Sequence, residues 1–224
     1  MRKEITVSMI TVFLLLSLAT ISSASAANTY TINETSYSDY FDTTGYIYNP
    51  SVQAGDVLDC SGTLTDKDMY IDRALNITST DQTGTLINST ITILTNGSGT
   101  NITNLKINNS DENGIGIFLY ETENNTVEGN YIHCNGPNGY GIALTRSNHN
   151  TISDNTVVTT QRSDMERTHS AIVLGESNYN TIEDNYVACD GANCIYLSVY
   201  GSGIFESDGP SYYNEIINNT CIGV

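Results

Sequence analysis

Basic residues are scarce in this chain: eight Lys and Arg stand against 25 Asp and Glu in 224 residues, a formal charge of −17. A surface of that sign repels nucleic acid and anionic lipid, which excludes both as partners and leaves calcium, high salt or a cationic partner compatible. Long apolar runs are as rare. The one present, around Ile10 to Ile21, follows Arg2 and Lys3, is interrupted by Thr11, Ser17 and Thr20, and precedes Ala24-Ser25-Ala26. That order of features is a secretory signal over residues 1–26 with an A-x-A cleavage site. The run is short for a membrane span, so no span is expected after cleavage. Removing Arg2, Lys3 and Glu4 leaves six basic against 24 acidic residues, and the expected product is secreted or held at the cell surface. Trp is absent while Tyr occurs 15 times, and the five cysteines are an odd number, so at least one stays unpaired.

What is present is a repeat. Asn125-Thr126-Val127-Glu128-Gly129-Asn130-Tyr131-Ile132 returns as Asn150-Thr151-Ile152-Ser153-Asp154-Asn155-Thr156-Val157. It returns again as Asn180-Thr181-Ile182-Glu183-Asp184-Asn185-Tyr186-Val187. Degenerate copies begin at Asn101 and Asn214. Aligned on Ile102, Val127, Ile152, Ile182 and Ile216, the spacings are 25, 25, 30 and 34 residues. Periods of this length belong to stacked units that cannot bury their apolar faces alone. A second signature accompanies each unit: Gly116-Ile117-Phe118-Leu119, Gly141-Ile142-Ala143-Leu144, Ala171-Ile172-Val173-Leu174 and Cys194-Ile195-Tyr196-Leu197. These runs alternate with period two and none has helical spacing. The fold expected is all-β: a single-stranded right-handed parallel β-helix, with an N-terminal cap over residues 27–54 and coils over residues 55–224.

Asn130, Asn155, Asn185 and Asn219 should stack as a ladder at one corner, with Leu105 in the first copy. Asn tolerates left-handed backbone at a bend and its amide can bond the chain there. Cys134 and Cys189 share a repeat position two coils apart, beyond disulfide reach, which leaves Cys189 with Cys194 as the local pair. Cys221 falls at an inward position, as a small core residue. Asn-x-Ser/Thr occurs at Asn33, Asn76, Asn88, Asn96, Asn101, Asn108, Asn124 and Asn218, acceptors for glycans in an exported protein.

The chain resembles the right-handed parallel β-helix surface proteins of methanogenic archaea known as adhesin-like. The resemblance rests on Tyr40-Phe41-Asp42, Gly55-Asp56-Val57-Leu58-Asp59-Cys60-Ser61-Gly62-Thr63, Leu75-Asn76-Ile77-Thr78 and the repeats. More distantly, the repeats are similar to those of the NosD-type protein of copper-enzyme maturation and to pectate-lyase-like β-helices. The resemblance implies fold and surface location; a copper role is implied by the NosD likeness alone. The chain departs from the adhesin-like pattern by stopping at Val224 inside a repeat, with no second domain or wall anchor. It reads as a fragment or a short product whose open last coil would favour self-association.

Enzymes of this shape carry their acids and bases on the outer face of one sheet. Here those positions are Phe118, Ala143, Val173 and Tyr196, then Tyr120, Thr145, Gly175 and Ser198, a set without carboxylate, Lys, Arg or His. General acid and base chemistry needs such groups, so no catalytic residue is assigned. Asp154 and Asp184 share one repeat position, with Glu183 beside them, as a weak Ca²⁺ candidate against the plainer reading of solvated turn residues. No other cofactor is expected. His133, His149 and His169 fall at unrelated positions without metal-ligand spacing. Two insertions lengthen the period, Thr159 to His169 and Ser198 to Ser211, and long loops on a rigid scaffold are where function concentrates. They place a candidate ligand site at Arg162, Arg167, His169, Tyr196, Tyr200, Phe205, Glu206 and Asp208, walling a groove over Val173 and Tyr196. The competing reading of both loops is surface decoration. The function expected is adhesion or carbohydrate binding, toward a polysaccharide or protein outside the cell. The alternatives are a polysaccharide lyase or hydrolase and a purely structural envelope component.

Overall fold

A computed structural model describes residues 26–160, 170–190, 193–197 and 209–223. Apart from Ala26, the expected signal segment lies outside the described residues. Strands are numbered along the chain and fall into three sheets. An eight-stranded sheet holds β1 (Thr29–Ile32), β2 (Val57–Cys60), β5 (Asn76–Thr78), β8 (Asn101–Thr103), β11 (Thr126–Glu128), β14 (Thr151–Ser153), β17 (Thr181–Glu183) and β20 (Glu215–Ile217). A seven-stranded sheet holds β3 (Thr63–Thr65), β6 (Thr85–Ile87), β9 (Lys106–Asn109), β12 (Tyr131–Cys134), β15 (Thr156–Thr159), β18 (Tyr186–Cys189) and β21 (Thr220–Gly223). A six-stranded sheet holds β4 (Met69–Ile71), β7 (Ile91–Ile93), β10 (Ile115–Tyr120), β13 (Tyr140–Thr145), β16 (Ser170–Gly175) and β19 (Asn193–Leu197).

Strands three apart in sequence pair in parallel throughout β2 to β21, so the chain visits each sheet once per turn and climbs one strand width each time. This is a parallel β-helix. The register carries the sequence alignment strand by strand: Ile102 pairs with Val127, Val127 with Ile152, Ile152 with Ile182 and Ile182 with Ile216. In the six-stranded sheet the same holds for Ile117, Ile142, Ile172 and Ile195. Alternation sends one residue in two inward, and Ile117, Leu119, Ile142, Leu144, Ile172 and Leu174 are fully buried in one continuous core. Each such side chain contributes about 1.5–3 kcal/mol by leaving water.

The corners are held by two amide ladders. In the first, Asn130 Nδ2 donates to Asn155 Oδ1 at 3.0 Å, Asn155 to Asn185 at 3.0 Å and Asn185 to Asn219 at 2.9 Å. Each Oδ1 also accepts the backbone N–H one coil below. The second runs through Asn125, Asn150, Asn180 and Asn214 with the same bonds, at 2.8 to 3.1 Å. The expectation that ladder asparagines take the left-handed conformation is corrected. The residue before each one does so: Asn104, Gly129, Asp154, Asp184 and Asn218 ahead of the first ladder, and Asn124, His149, Tyr179 and Tyr213 ahead of the second. The ladder amides stay buried because their donors and acceptors are used up between coils.

The segment expected as a cap contains β1, which adds to the eight-stranded sheet beside β2, and a four-residue helix, α1 (Tyr37–Tyr40). Tyr37 and Phe41 stack at 4.7 Å and are buried. Asp56, 3% exposed, ties the segment down by accepting from the N–H groups of Asn28 and Gln53, each at 2.8 Å. Burial acts to raise its pKa, but these donors outweigh burial and hold it below the usual carboxylate value. A folded-state pKa depressed in this way adds stability above the unfolded value near 4, and that stability is lost as pH falls through the folded value. Thermal melts from pH 7 to pH 2 are therefore expected to show a fall beginning below about pH 4. Asp56→Asn should be less stable at pH 7 and lose less on acidification; an unchanged acid profile would count against this role.

Among the described residues no helix is long and apolar enough to cross a membrane.

Candidate functional site

The six-stranded sheet turns its outer face to solvent at one end and is covered at the other. Tyr70, Thr92 and Phe118 are neighbours in register on that face, and the row continues through Ala143, Val173 and Tyr196. Ala143 is 0% and Val173 1% exposed, although neither belongs to the central core. The hydroxyls of Thr145 and Ser170 in the same strands are buried with no hydrogen-bond partner among the described residues. All but the ends of the loops expected to wall a groove over Val173 lie outside the described residues. Tyr196 is partly buried in β19. Arg162, Arg167, His169, Tyr200, Phe205, Glu206 and Asp208 lie outside the described residues.

The open part of the face is a groove of about 490 Å³ some coils earlier. Tyr70, Thr92, Phe118 and Tyr120 form its floor, and Asp68, Asn88, Thr90 and the loop from Asn109 to Gly114 line its rim. The loop is fixed from within. Buried Asn109 accepts the Asp111 N–H at 3.0 Å and donates to the Ile115 carbonyl at 3.2 Å. Asn88 Oδ1 accepts the Ser110 hydroxyl at 2.8 Å, and Asn113 adopts a left-handed φ of 59°. This leaves Asp111, Glu112 and Asn113 exposed at the rim. Along the same rim Asp68 accepts the Thr90 N–H at 2.8 Å, and the Thr90 hydroxyl donates to the Ile115 carbonyl at 2.7 Å.

The floor is also braced. Tyr70 stacks on Tyr46 at 4.8 Å with the rings 12° apart, and Phe118 lies tilted against Tyr120 at 5.7 Å. Arg146 covers Tyr120 from outside the groove: its guanidinium lies 5.4 Å from the ring, donates to the phenol oxygen at 2.9 Å and pairs with Glu121 at 3.1 Å. The groove thus combines rigid aromatic surface with carboxylates and amides at its edge, and among the described residues no Lys, Arg or His lines it. Ser110-Asp111-Glu112-Asn113-Gly114 carried no functional assignment from sequence. That run of turn-forming residues between two strands was the available signal.

The Ca²⁺ candidate does not assemble. Asp154 and Asp184 both sit at left-handed corner positions with φ of 55°, exposed, a conformation Asp tolerates better than most residues. Among the described residues no group of three or more His, Cys, Asp or Glu side chains is arranged to hold a metal. His133 approaches the Thr160 hydroxyl at 3.4 Å, whereas His149 stacks on Tyr179 at 5.1 Å, and Tyr179 on Tyr213 at 5.0 Å. His133 lies within β12, whereas His149 sits at a left-handed corner.

Comparison with known proteins gives one family. Its model, described as periplasmic copper-binding protein (NosD), matches residues 26–223. No curated protein and no solved structure matches the chain. A match over nearly every coil, together with three parallel sheets in continuous register, shows that the chain belongs to the NosD family of β-helix proteins.

Proposed function

We propose that this chain is an extracytoplasmic binding module that holds a carbohydrate in the groove over Tyr70, Phe118 and Tyr120. The periplasmic family supports a place in or beyond the cell envelope, and the likeness to adhesin-like surface proteins supports display there. The observation that carries the reading is the groove itself. Aromatic faces stack on the apolar faces of sugar rings, and rim carboxylates and amides accept and donate to hydroxyl groups. Among the described residues the lining has acids and no base, in a chain of charge −17. Uncharged or amine-bearing sugars fit it, and acidic polysaccharides are repelled. That charge pattern also disfavours a lyase acting on acidic polysaccharide.

The family description names copper. Copper prefers imidazole, thiolate and thioether donors. Here Met69, Cys60 and Cys134 are sealed in the core, and His133 and His149 stand apart; Cys189, Cys194 and Cys221 adjoin one another, but among the described residues no group of three or more His, Cys, Asp or Glu is arranged to hold a metal. The described residues do not fit a copper centre.

A glycan array probed with the mature chain is expected to show binding to neutral or amino sugars. Phe118→Ala should bind about tenfold more weakly, the loss of one aromatic contact. Binding confined to acidic glycans, or unchanged by the substitution, would overturn the assignment. Release of shorter sugars during the assay would identify an enzyme instead.

A further inference from the structure

One row of the six-stranded sheet faces the core with almost no room for a side chain. Register places Gly116, Gly141 and Ala171 on it in successive coils and then Cys194. The row is small because the seven-stranded sheet lies close: a Cβ at Gly116 would stand 2.5 Å from Ile132 Cγ2 and 3.5 Å from Cys134 Sγ, and one at Gly141 would collide with Val157. Cys194 therefore brings a sulfur to a place where earlier coils tolerate at most a methyl group. Its Sγ meets the Sγ of Cys189, on the facing strand β18, at 2.9 Å. A disulfide bond is roughly 2.05 Å long, so a small approach separates contact from bond.

A third thiol adjoins them. Cys221 pairs in register with Val187 and interacts with the Cys194 thiol. It is exposed, which corrects the expectation of a core residue: β21 is an edge strand among the described residues. The remaining cysteines are sealed in the core, where burial pushes the thiols of Cys60 and Cys134 up to about 12. Such thiols are inert to exchange.

We propose that Cys189 and Cys194 are a disulfide-forming pair that pins the corner between β18 and β19, with Cys221 left as a free thiol beside it. The oxidant is a disulfide, borne by a thiol–disulfide oxidoreductase or by a small molecule. The less buried Cys194, as thiolate, attacks one sulfur of the oxidant, forming a mixed disulfide and releasing one thiol. Cys189, as thiolate, then attacks the Cys194 sulfur and expels the second thiol. The two cysteine protons end on the two released thiols, and two electrons reduce the oxidant. Burial and the neighbouring Cys189 thiol push Cys194 up to about 11, so the bond forms slowly and acts as a staple, not as a rapid exchange catalyst.

The proposal draws on an oxidising compartment, yet its test depends on neither location nor sugar binding. The reduced chain is incubated with oxidised glutathione, then denatured and titrated. Of five thiols, three are expected to remain, since two have paired. Intact mass should fall by two hydrogen atoms without a glutathione adduct, and peptide mapping should join Cys189 to Cys194. In Cys194→Ser all four remaining thiols should titrate. Five free thiols in the parent, a stable adduct, a bond to Cys221, or a disulfide persisting in Cys194→Ser would each overturn the pairing.

Discussion

Ile152→Asp is expected to abolish cooperative folding, while Ile216→Asp, at the same repeat position, melts within a few degrees of the parent. Ile152 is fully buried, whereas Ile216 is 45% exposed. The first substitution removes about 2–3 kcal/mol of apolar burial and leaves a carboxylate in the core with no partner, for a total of about 5 kcal/mol or more. That is the whole stability of many domains. Each coil touches only its neighbours, so failure in a central coil separates the solenoid into two shorter pieces. Melting followed by circular dichroism checks both variants. A cooperative Ile152→Asp transition near that of the parent would mean that the row does not face inward.

The second large effect concerns the amide ladder. Asn155→Ala should lower stability by about 3 kcal/mol, a fall in Tm of roughly 6–12 °C for a domain of this size. The substitution deletes four bonds. Asn155 Oδ1 accepts from the Asn130 N–H and from its Nδ2, both at 3.0 Å; Asn155 Nδ2 donates to the Val127 carbonyl at 2.8 Å and to Asn185 at 3.0 Å. The Asn130 N–H is left buried without an acceptor, and such orphans cost far more than an average hydrogen bond contributes. Urea titration with an unchanged slope and a lower midpoint would report this loss. A midpoint equal to the parent's would show that water replaces the amide without cost.

Strand identity and register were legible in the sequence because an apolar residue that must face inward in every coil recurs at a fixed place in each repeat. Ile102, Val127, Ile152, Ile182 and Ile216 align in space as they do on paper. One ladder was legible for the same reason, while its partner through Asn125, Asn150, Asn180 and Asn214 repeats just as strictly and went unnoticed as a second corner. Backbone conformation was assigned one residue too late: Asn130 and Asp154 are both turn-forming types, and propensity does not say which neighbour bends. Burial of outward residues could not be read at all. Ala143 and Val173 occupy solvent-side positions by alternation, and only the assembled chain shows them covered. The groove was missed because its rim comes from Asp111 and Glu112, in a loop whose position over Phe118 depends on Asn88 one coil below.

The claim that the groove binds a sugar is tested most directly by amide hydrogen exchange, measured with and without the oligosaccharide that binds best on the array. Exchange is expected to slow along the rim and floor of the groove, at residues 88–92 and 109–120, and to stay unchanged along β14 and β17. Slowing confined to the strands around Val173 and Tyr196, or none in residues 109–120 at saturating ligand, would contradict it.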